Sequence, residues 1–377
     1  MKYLTHLLLF FFLSIIAYAN DGAYYVSGNQ LIPVTETDIT VKKEILSIKR
    51  KNRKQVEVDV YYEFYNPGNT KQVVVGFEAF SPGGDVNPNP KNGRHPNIYD
   101  FTVKMNESSL PYKVAMVKDS VYYQNGKFKG ITRKQMNESL EDHGWMSADF
   151  FYVYHFNADF KKGLNTLKHT YTCDLSTSVD YAYSFDYILT AAIRWGNKQI
   201  DDFTLIIDMG EFQDFYIDDN PFRDNPKWDI HGNKLSITSE PYIDYRETPE
   251  QEKTRTRFMI RNGEIIYKAE NFRPKAELAI RSFRAIAFTP TPFNYEETPY
   301  ISYTLIESED YSISTTDETS KKILKNLPFA RRGYIFSSPE LKEYYSGQIW
   351  YKPDSNYKAV LSELPKEEQD WVMRYSK

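Results

Sequence analysis

The chain of 377 residues contains a single cysteine, Cys173. One thiol cannot form an internal disulfide, so the fold must be held together by its hydrophobic cores. A chain of this length buries enough apolar surface for that. Cys173 lies in the strand-like stretch KHTYTCDLS without a flanking basic residue. We therefore expect a buried, unreactive thiol.

A strong excess of charge of one sign is also missing. The sequence has 47 Lys and Arg against 51 Asp and Glu, a formal net charge of -4. Nucleic-acid-binding proteins carry a concentrated basic face, which this composition does not provide. The sequence therefore predicts no nucleic-acid partner.

Catalytic and cofactor motifs are absent from the sequence. It has no HExxH, paired CxxC, P-loop, GxSxG, or GxGxxG that opens a helix after a strand. His169 and Cys173 are four residues apart, but they lie in strand-like sequence, where that spacing separates side chains too far for one zinc ion. We therefore predict no catalytic residue, no metal and no cofactor.

The acidic segment YIDDNPFRDNPKWD is the one alternative for a cation. Clustered oxygen ligands suit calcium, but the spacing matches no EF-hand loop. A solvated acidic loop is the favoured interpretation. The residues concerned are Asp218, Asp219, Asn220, Asp224 and Asp229.

Long hydrophobic runs occur only at the start of the chain. Leu7 to Ile16 is almost entirely apolar, and Ala17-Tyr18-Ala19 follows as a small-x-small cleavage pattern. This pattern predicts a signal peptide over residues 1–19, with an uncleaved anchor as the alternative. No later stretch approaches the roughly 20 apolar residues of a transmembrane helix. We expect a mature protein without a membrane anchor, in the periplasm or outside the cell.

Residues 20–315 alternate apolar and polar positions in many short segments, which predicts a mainly β fold with one or two antiparallel β-sandwiches, in one or two subdomains. In QVEVDVYYEFY, Val56, Val58, Val60, Tyr62 and Phe64 share one face. The following Asn66-Pro67-Gly68-Asn69 predicts a turn. This strand, the turn and the next strand-like segment, KQVVVGFEAF, together predict a β-hairpin.

Two irregular segments interrupt the β pattern, near residues 81–97 and 118–147. The first is rich in Gly, Pro and Asn, and loops of this length are often functional or disordered. The second contains TRKQMNESLEDHG, which predicts a short helix ending near Gly144. The aromatic strand after it, Phe150 to Phe156, is predicted to lie in the core.

Residues 316–377 change to helical spacing and predict a small α-rich module. TDETSKKILKNL begins one helix, and Pro328 is expected to start a separate short helix that ends at Gly333. Ser338 and Pro339 begin the next helix, which Gly347 ends.

The C-terminal module resembles the YARHG domain, a small bacterial extracytoplasmic domain named for its motif. The motif here is FARRG: Phe329 replaces the Tyr, Arg332 replaces the His, and Pro328 stands where the family has an aliphatic residue. If that His served acid–base chemistry in the family, this copy lacks it. The resemblance implies a fold unit and no named activity. It is carried by Lys325-Asn326, Phe329 to Tyr334, Phe336, Leu341, Tyr344-Tyr345, Gln348 and Trp350 to Pro353.

The motif residues divide into packing positions and candidate binding positions. Phe329, Ala330, Gly333, Phe336 and Trp350 are predicted to build the module. The candidates for ligand binding are Arg331, Arg332, Tyr334 and Tyr351. Side chains of adjacent helical residues diverge by about 100°, so we expect one arginine to pair internally, with Glu340 or Glu343, and the other to remain available for an anionic group.

Residues 20–210 are similar, less specifically, to an uncharacterised family of secreted bacterial β-domain proteins. The similarity is carried by NDGAYYVSGNQLIPVTETDITVKKEILSI, VYYEFYNPG and YSFDYILTAAIRWGNKQIDDFTLIID. It implies a secreted β architecture without a named activity.

The function predicted from the sequence is a secreted or periplasmic, envelope-associated binding protein without catalytic activity. Its C-terminal module would bind an envelope protein or a cell-wall component. The alternative is a hydrolase of an envelope polymer, with carboxylates or His155 in a cleft. A deep cleft with convergent carboxylates would favour the hydrolase.

Overall fold

The computed structural model describes residues 23–24, 30–34, 37–118, 121–142, 148–222, 226–244, 251–284, 292–301, 303, 305–307 and 313–377. The predicted signal peptide, Gly144 and Asp224 lie outside these ranges. No helix within them is long and apolar enough to span a bilayer.

The described residues form a mainly β structure followed by a helical module, as the sequence predicted. The strands are β1 (Ala23–Tyr24), β2 (Gln30–Pro33), β3 (Thr40–Arg50), β4 (Gln55–Asn66), β5 (Lys71–Phe80), β6 (Gly83–Gly84), β7 (Ile98–Met105), β8 (Ser108–Ser109), β9 (Lys113–Val117), β10 (Tyr123–Gln124), β11 (Lys127–Phe128), β12 (Phe151–Phe160), β13 (Gly163–Asp174), β14 (Tyr181–Tyr187), β15 (Ile200–Asp208), β16 (Gln213–Asp218), β17 (Trp228–Asp244), β18 (Gln251–Phe272) and β19 (Leu278–Phe283). The helices are α1 (Arg133–Asp142), α2 (Glu318–Arg331), α3 (Pro339–Ser346) and α4 (Lys366–Arg374).

Two sheets carry most of the strands. The smaller has the order β2-β5-β12-β9, and the larger has the order β14-β19-β16-β18-β15-β3-β4-β13-β7-β8, with β17 along the other side of β18. The larger sheet departs from the antiparallel expectation at one place, because β15 pairs with β3 in parallel.

The two sheets pack face to face through aromatic side chains. Phe77 of β5 lies 5.1 Å, centroid to centroid, from both Phe101 of β7 and Tyr171 of β13. Phe64 of β4 meets Phe160 of β12 edge-on at 5.5 Å. Aromatic pairs at these distances stabilise beyond the area that they bury. The sandwich core therefore lies between β5 and β12 on one side and β4, β7 and β13 on the other.

The predicted hairpin between β4 and β5 is wrong. β4 pairs with β3 and β13 in the larger sheet, whereas β5 pairs with β2 and β12 in the smaller one. The Asn66 amide redirects the chain, because its Nδ2 donates to the carbonyls of Asn69 and Phe160 while its Oδ1 accepts from the amide of Gly68. The turn is thus a corner between the two sheets of the sandwich.

β17 and β18 face each other through a pair of glycines. Gly232 and Gly263 stand opposite each other with φ of 147° and 104°. A Cβ on either would overlap the backbone of the opposite strand. Before Gly263, β18 pairs with β16, and after it β18 pairs with β15. The glycine pair therefore lies where β18 changes its neighbour, at two positions that only glycine fills without strain or overlap.

The polar segment after β9 contains the short hairpin β10–β11 and the helix α1, which confirms the predicted helix. The aromatic strand is β12, and it lies between β5 and β9. Phe150, Tyr152, Tyr154 and Phe156 are all buried, as predicted. His155 stacks on Phe128 with ring centroids 3.8 Å apart.

Cys173 is fully buried in β13, as predicted. Burial raises the pKa of its thiol well above the usual range, which disfavours the reactive thiolate. His169, on the same strand, is also fully buried, and burial lowers its pKa to about 3.

The helical module packs on the larger sheet rather than standing apart from it. Its core includes Phe212, Leu235 and Met259 from the β region. It also recruits Phe293 and Ile301, which precede the predicted boundary near residue 315. The boundary between the two units stays a prediction.

The expected separate helix after Pro328 is wrong, because α2 continues through Pro328 to Arg331. Proline inside a helix removes the hydrogen bond to the carbonyl four residues earlier. Here that carbonyl, of Leu324, accepts a hydrogen bond of 2.6 Å from the Trp371 indole in α4. The predicted start of α3 at Ser338 and Pro339 and its end at Gly347 are confirmed.

Candidate binding surface in the C-terminal module

The FARRG motif forms the end of α2. The amide of Tyr334 donates to the carbonyl of Phe329, and the amide of Gly333 donates to that of Ala330. These two bonds, with Gly333 at a φ of 87°, make a Schellman cap. Its usual hydrophobic contact is present too, because Tyr334 packs on the small cluster that contains Phe329.

Gly333 is also required by the chain segment that returns past it. The amide of Asp354 donates to the Gly333 carbonyl at 2.8 Å. A Cβ on Gly333 would overlap the carbonyl oxygen of Lys352. The glycine therefore joins the FARRG segment to the WYKP segment of the motif.

Arg331 and Arg332 both pair with one carboxylate, Glu368 in the first turn of α4. The Arg331 Nη1 lies 3.1 Å from Glu368 Oε1, and the Arg332 Nη1 lies 2.7 Å from Oε2. Arg331 and Glu368 are 3% and 5% exposed. The expected partners, Glu340 and Glu343, are wrong. The two arginines converge because Arg332 is the cap residue and no longer follows helical spacing.

The same guanidinium groups dock the module on the β region. Phe212 lies in the turn between β15 and β16. The Cζ atom of Arg331 is 4.7 Å from the centroid of its ring, and that of Arg332 is 4.8 Å away. Its carbonyl accepts from Arg331 Nη2 at 3.4 Å. Cation–π contacts gain strength when they are desolvated, as here. The arginine pair therefore has a structural use at this interface.

The five predicted packing residues all lie in the interior. Phe329, Ala330, Gly333, Phe336 and Trp350 are buried, and Trp350 is completely so. Phe336 stacks on Tyr345 at 4.9 Å. Tyr345 in turn donates its hydroxyl to the carbonyl of Ile323 in α2.

Tyr334 and Tyr351 lie on the half-exposed side of the module. The Tyr351 hydroxyl donates to the Tyr334 carbonyl at 2.7 Å, which holds their two segments side by side. Ile335 directly follows Tyr334 and Ile349 lies two residues before Tyr351; their side chains are 50% and 49% exposed. We call these four residues the tyrosine–isoleucine surface. Ligand binding by Arg331, Arg332, Tyr334 and Tyr351 stays a prediction, but the geometry favours the tyrosines.

The acidic segment does not assemble a cation site among the residues that can be described. Asp219 accepts a hydrogen bond from the Thr256 hydroxyl at 2.7 Å, and Asp218 ends β16. No group of three or more His, Cys, Asp and Glu side chains lies close enough to hold a metal within the described ranges.

Comparison with known proteins finds solved structures of similar fold and one matching family model. No curated protein matches it. A Legionella pneumophila protein described as a candidate nutrient-binding protein has a solved structure with a TM-score of 0.50 and 17% identity, over 94% of this chain and 99% of that chain. The M1 zinc metallopeptidase of Deinococcus radiodurans has a TM-score of 0.24 and 7% identity, over 64% of this chain and 42% of that chain.

The likeness to the Legionella protein is one of fold, and it spans the β region and the module together. The family model of the YARHG domain matches residues 300–377. The match begins before the helices, in the segment that contributes Ile301 and Tyr303 to the module's core. The resemblance of the C-terminal module to the YARHG domain is therefore confirmed, and the C-terminal part of this chain carries a YARHG domain.

Proposed function

We propose that the protein is a secreted, non-catalytic binding protein whose YARHG domain binds a protein partner in the cell envelope. Secretion rests on the signal-peptide pattern of residues 1–19. Binding as the activity is supported by the fold shared with a protein described as a candidate nutrient-binding protein, and the YARHG match is compatible with it.

One observation carries the proposal for the domain. Its two motif arginines are occupied by Glu368 and Phe212, whereas its tyrosine–isoleucine surface faces solvent. Exposed aliphatic side chains beside aromatic ones are typical of protein interaction sites. A wall glycan would instead favour freely exposed rings, and the rings of Tyr334 and Tyr351 are partly packed against Phe336. A protein partner is therefore the better fit.

The test is co-sedimentation of the mature protein with envelope fractions that are untreated, protease-stripped or digested with muramidase. We expect binding to the untreated and muramidase-digested fractions and its loss after protease. The Ile335→Ser/Ile349→Ser variant should lose binding. Met373→Ser is the matched control, because Met373 is 53% exposed on α4, outside the surface.

Two results would reject the proposal. Binding that survives protease but not muramidase would assign the domain to the wall polymer. Equal binding by the double serine variant and the control would remove the tyrosine–isoleucine surface from the interaction. Circular dichroism of each variant checks that it is folded.

A further inference from the structure

We propose that a cleft beside β7 binds a small organic carboxylate that carries a flat apolar group. The cleft has a volume of about 410 Å³, within the range of roughly 300–1,000 Å³ for small-molecule sites. It is formed by the irregular segment near residues 81–97 and by β7, with Tyr112 just before β9 and Tyr154 of β12. No described residue of the YARHG domain lines it, so this site is independent of the tyrosine–isoleucine surface.

Two cations stand together at the rim. The backbones of Lys91 and Arg94 hydrogen-bond to each other across a tight turn. The N to O distance is 3.0 Å from Lys91 to Arg94 and 3.1 Å from Arg94 to Lys91. Residues that face each other in an antiparallel bridge project to the same side. Both side chains are exposed, and neither forms an ion pair with a described acidic residue. They form a pair of donors suited to a carboxylate.

Aromatic rings form the wall next to these cations. The Arg94 Cζ lies 5.5 Å from the centroid of the Tyr112 ring. Tyr112 meets Phe101 edge-on at 4.9 Å and lies 5.8 Å from Tyr154. A wall of this kind suits a flat apolar group held beside the carboxylate.

The backbone at the cleft is irregular at Asp100. The register between β7 and β13 shifts here, and Asp100 has a φ of 52°. Such bulges redirect side chains and are frequent next to binding sites. Asp100 lines the cleft, where its carboxylate is placed to accept an ammonium group if the ligand carries one.

The loop that carries the cations is held in place by His95. Its Nδ1 accepts from the amide of Asn97 at 3.2 Å, so its Nε2 carries the proton that is donated to the Phe80 carbonyl at 2.9 Å. Burial lowers the pKa of His95 to about 4, in keeping with this neutral form. The His95 amide donates to the Tyr154 hydroxyl at 3.1 Å. The site is therefore largely pre-formed, which lowers the entropic cost of binding.

The test is isothermal titration of the mature protein with 3-phenylpropanoate and with the neutral 3-phenylpropanamide. We expect saturable binding of the acid with a Kd below about 1 mM and no binding of the amide. Arg94→Gln should weaken binding of the acid about tenfold or more, because a charged hydrogen-bond donor is lost. Lys104→Gln, which removes one exposed cation of β7 outside the cleft, is the matched control.

A third probe, L-phenylalanine, distinguishes a plain carboxylic acid from an amino acid. Tighter binding of phenylalanine, lost in Asp100→Asn, assigns the site to an amino acid. Tighter binding of the plain acid assigns it to a carboxylate without an ammonium group. No binding of either carboxylate, or equal weakening by Arg94→Gln and Lys104→Gln, overturns the proposal.

Discussion

The indole nitrogen of Trp371 donates to the carbonyl oxygen of Leu324, the helix carbonyl that Pro328 leaves without a partner. α4 therefore compensates for the proline within α2, and the two helices form one unit. The Glu368 carboxylate, one turn earlier in α4, binds the two arginines that follow the proline. A single short helix thus supplies two of the contacts that hold the end of α2.

Replacing Trp371 by Phe should destabilise the protein by about 1–3 kcal/mol beyond the loss of ring volume, because the Leu324 carbonyl is left buried and unpaired. Urea unfolding measures the change. Trp350→Phe is the matched control: Trp350 is also fully buried, but its indole nitrogen has no hydrogen-bond partner among the described residues. If the two variants lose the same free energy of unfolding, the hydrogen bond from the Trp371 indole does not add to stability.

Replacing Glu368 by Gln should cost about 3–5 kcal/mol, because it leaves two largely buried guanidinium groups without their counter-charge. The matched variant is Glu367→Gln, which breaks the exposed ion pair with Arg53 and should cost at most about 1 kcal/mol. Chemical unfolding of both variants at one pH makes the comparison. Similar small effects would mean that the arginine pair does not hold the module in place.

Replacing Gly333 by Ala should destabilise the module, because the residue has a φ of 87° and its Cβ would meet the carbonyl of Lys352. We expect a loss above about 1 kcal/mol. Gly347→Ala is the control, since Gly347 has a φ of -78° and its Cβ would come no closer than 3.4 Å to a neighbour. Thermal unfolding compares the two. A Gly333→Ala protein as stable as the control would contradict the cap geometry.

Replacing Glu44 by Gln should change how stability depends on pH. Burial raises the pKa of Glu44 from 4.5 to about 8, so the folded state retains a proton that the unfolded state releases. The stability from this carboxyl is complete below pH 4.5 and is lost as the pH rises to about 8. Glu44→Gln removes this loss, so its stability relative to the natural protein should be greater at pH 9 than at pH 5.

Urea unfolding at these two pH values measures the difference. Glu57→Gln, an exposed change on β4, is the control and should show no such dependence. If the two variants respond equally to pH, Glu44 is not the group responsible.

The strands were predictable because burial alternates along them. Val56 to Phe64 point inward at every second position, and the sequence shows the same period. The connection after β4 was not predictable, since Asn66 to Asn69 suits a hairpin as well as a corner. The outcome depends on a bond from Asn66 to Phe160, far along the chain.

Contacts between distant parts of the sequence also explain the wrong predictions in the module. The motif glycine and its cap follow from local sequence, and they were predicted. Helix continuation through Pro328 depends on Trp371, and the arginine partner is Glu368 rather than the nearer Glu340 or Glu343. Both contacts join distant parts of the sequence, which local spacing does not reveal. The segment KEEQ, with two adjacent acidic residues, is typical of the first turn of a helix and could have indicated α4.

The most direct test of the proposed function is photo-crosslinking from the YARHG domain in intact cells. A benzophenone amino acid is placed at Ile335, at Ile349 or, as control, at Met373. We expect discrete protein adducts from Ile335 and Ile349, reduced when the other isoleucine is replaced by Ser, and none from Met373. Adducts that are equal at all three positions, or absent from both isoleucines, would contradict it.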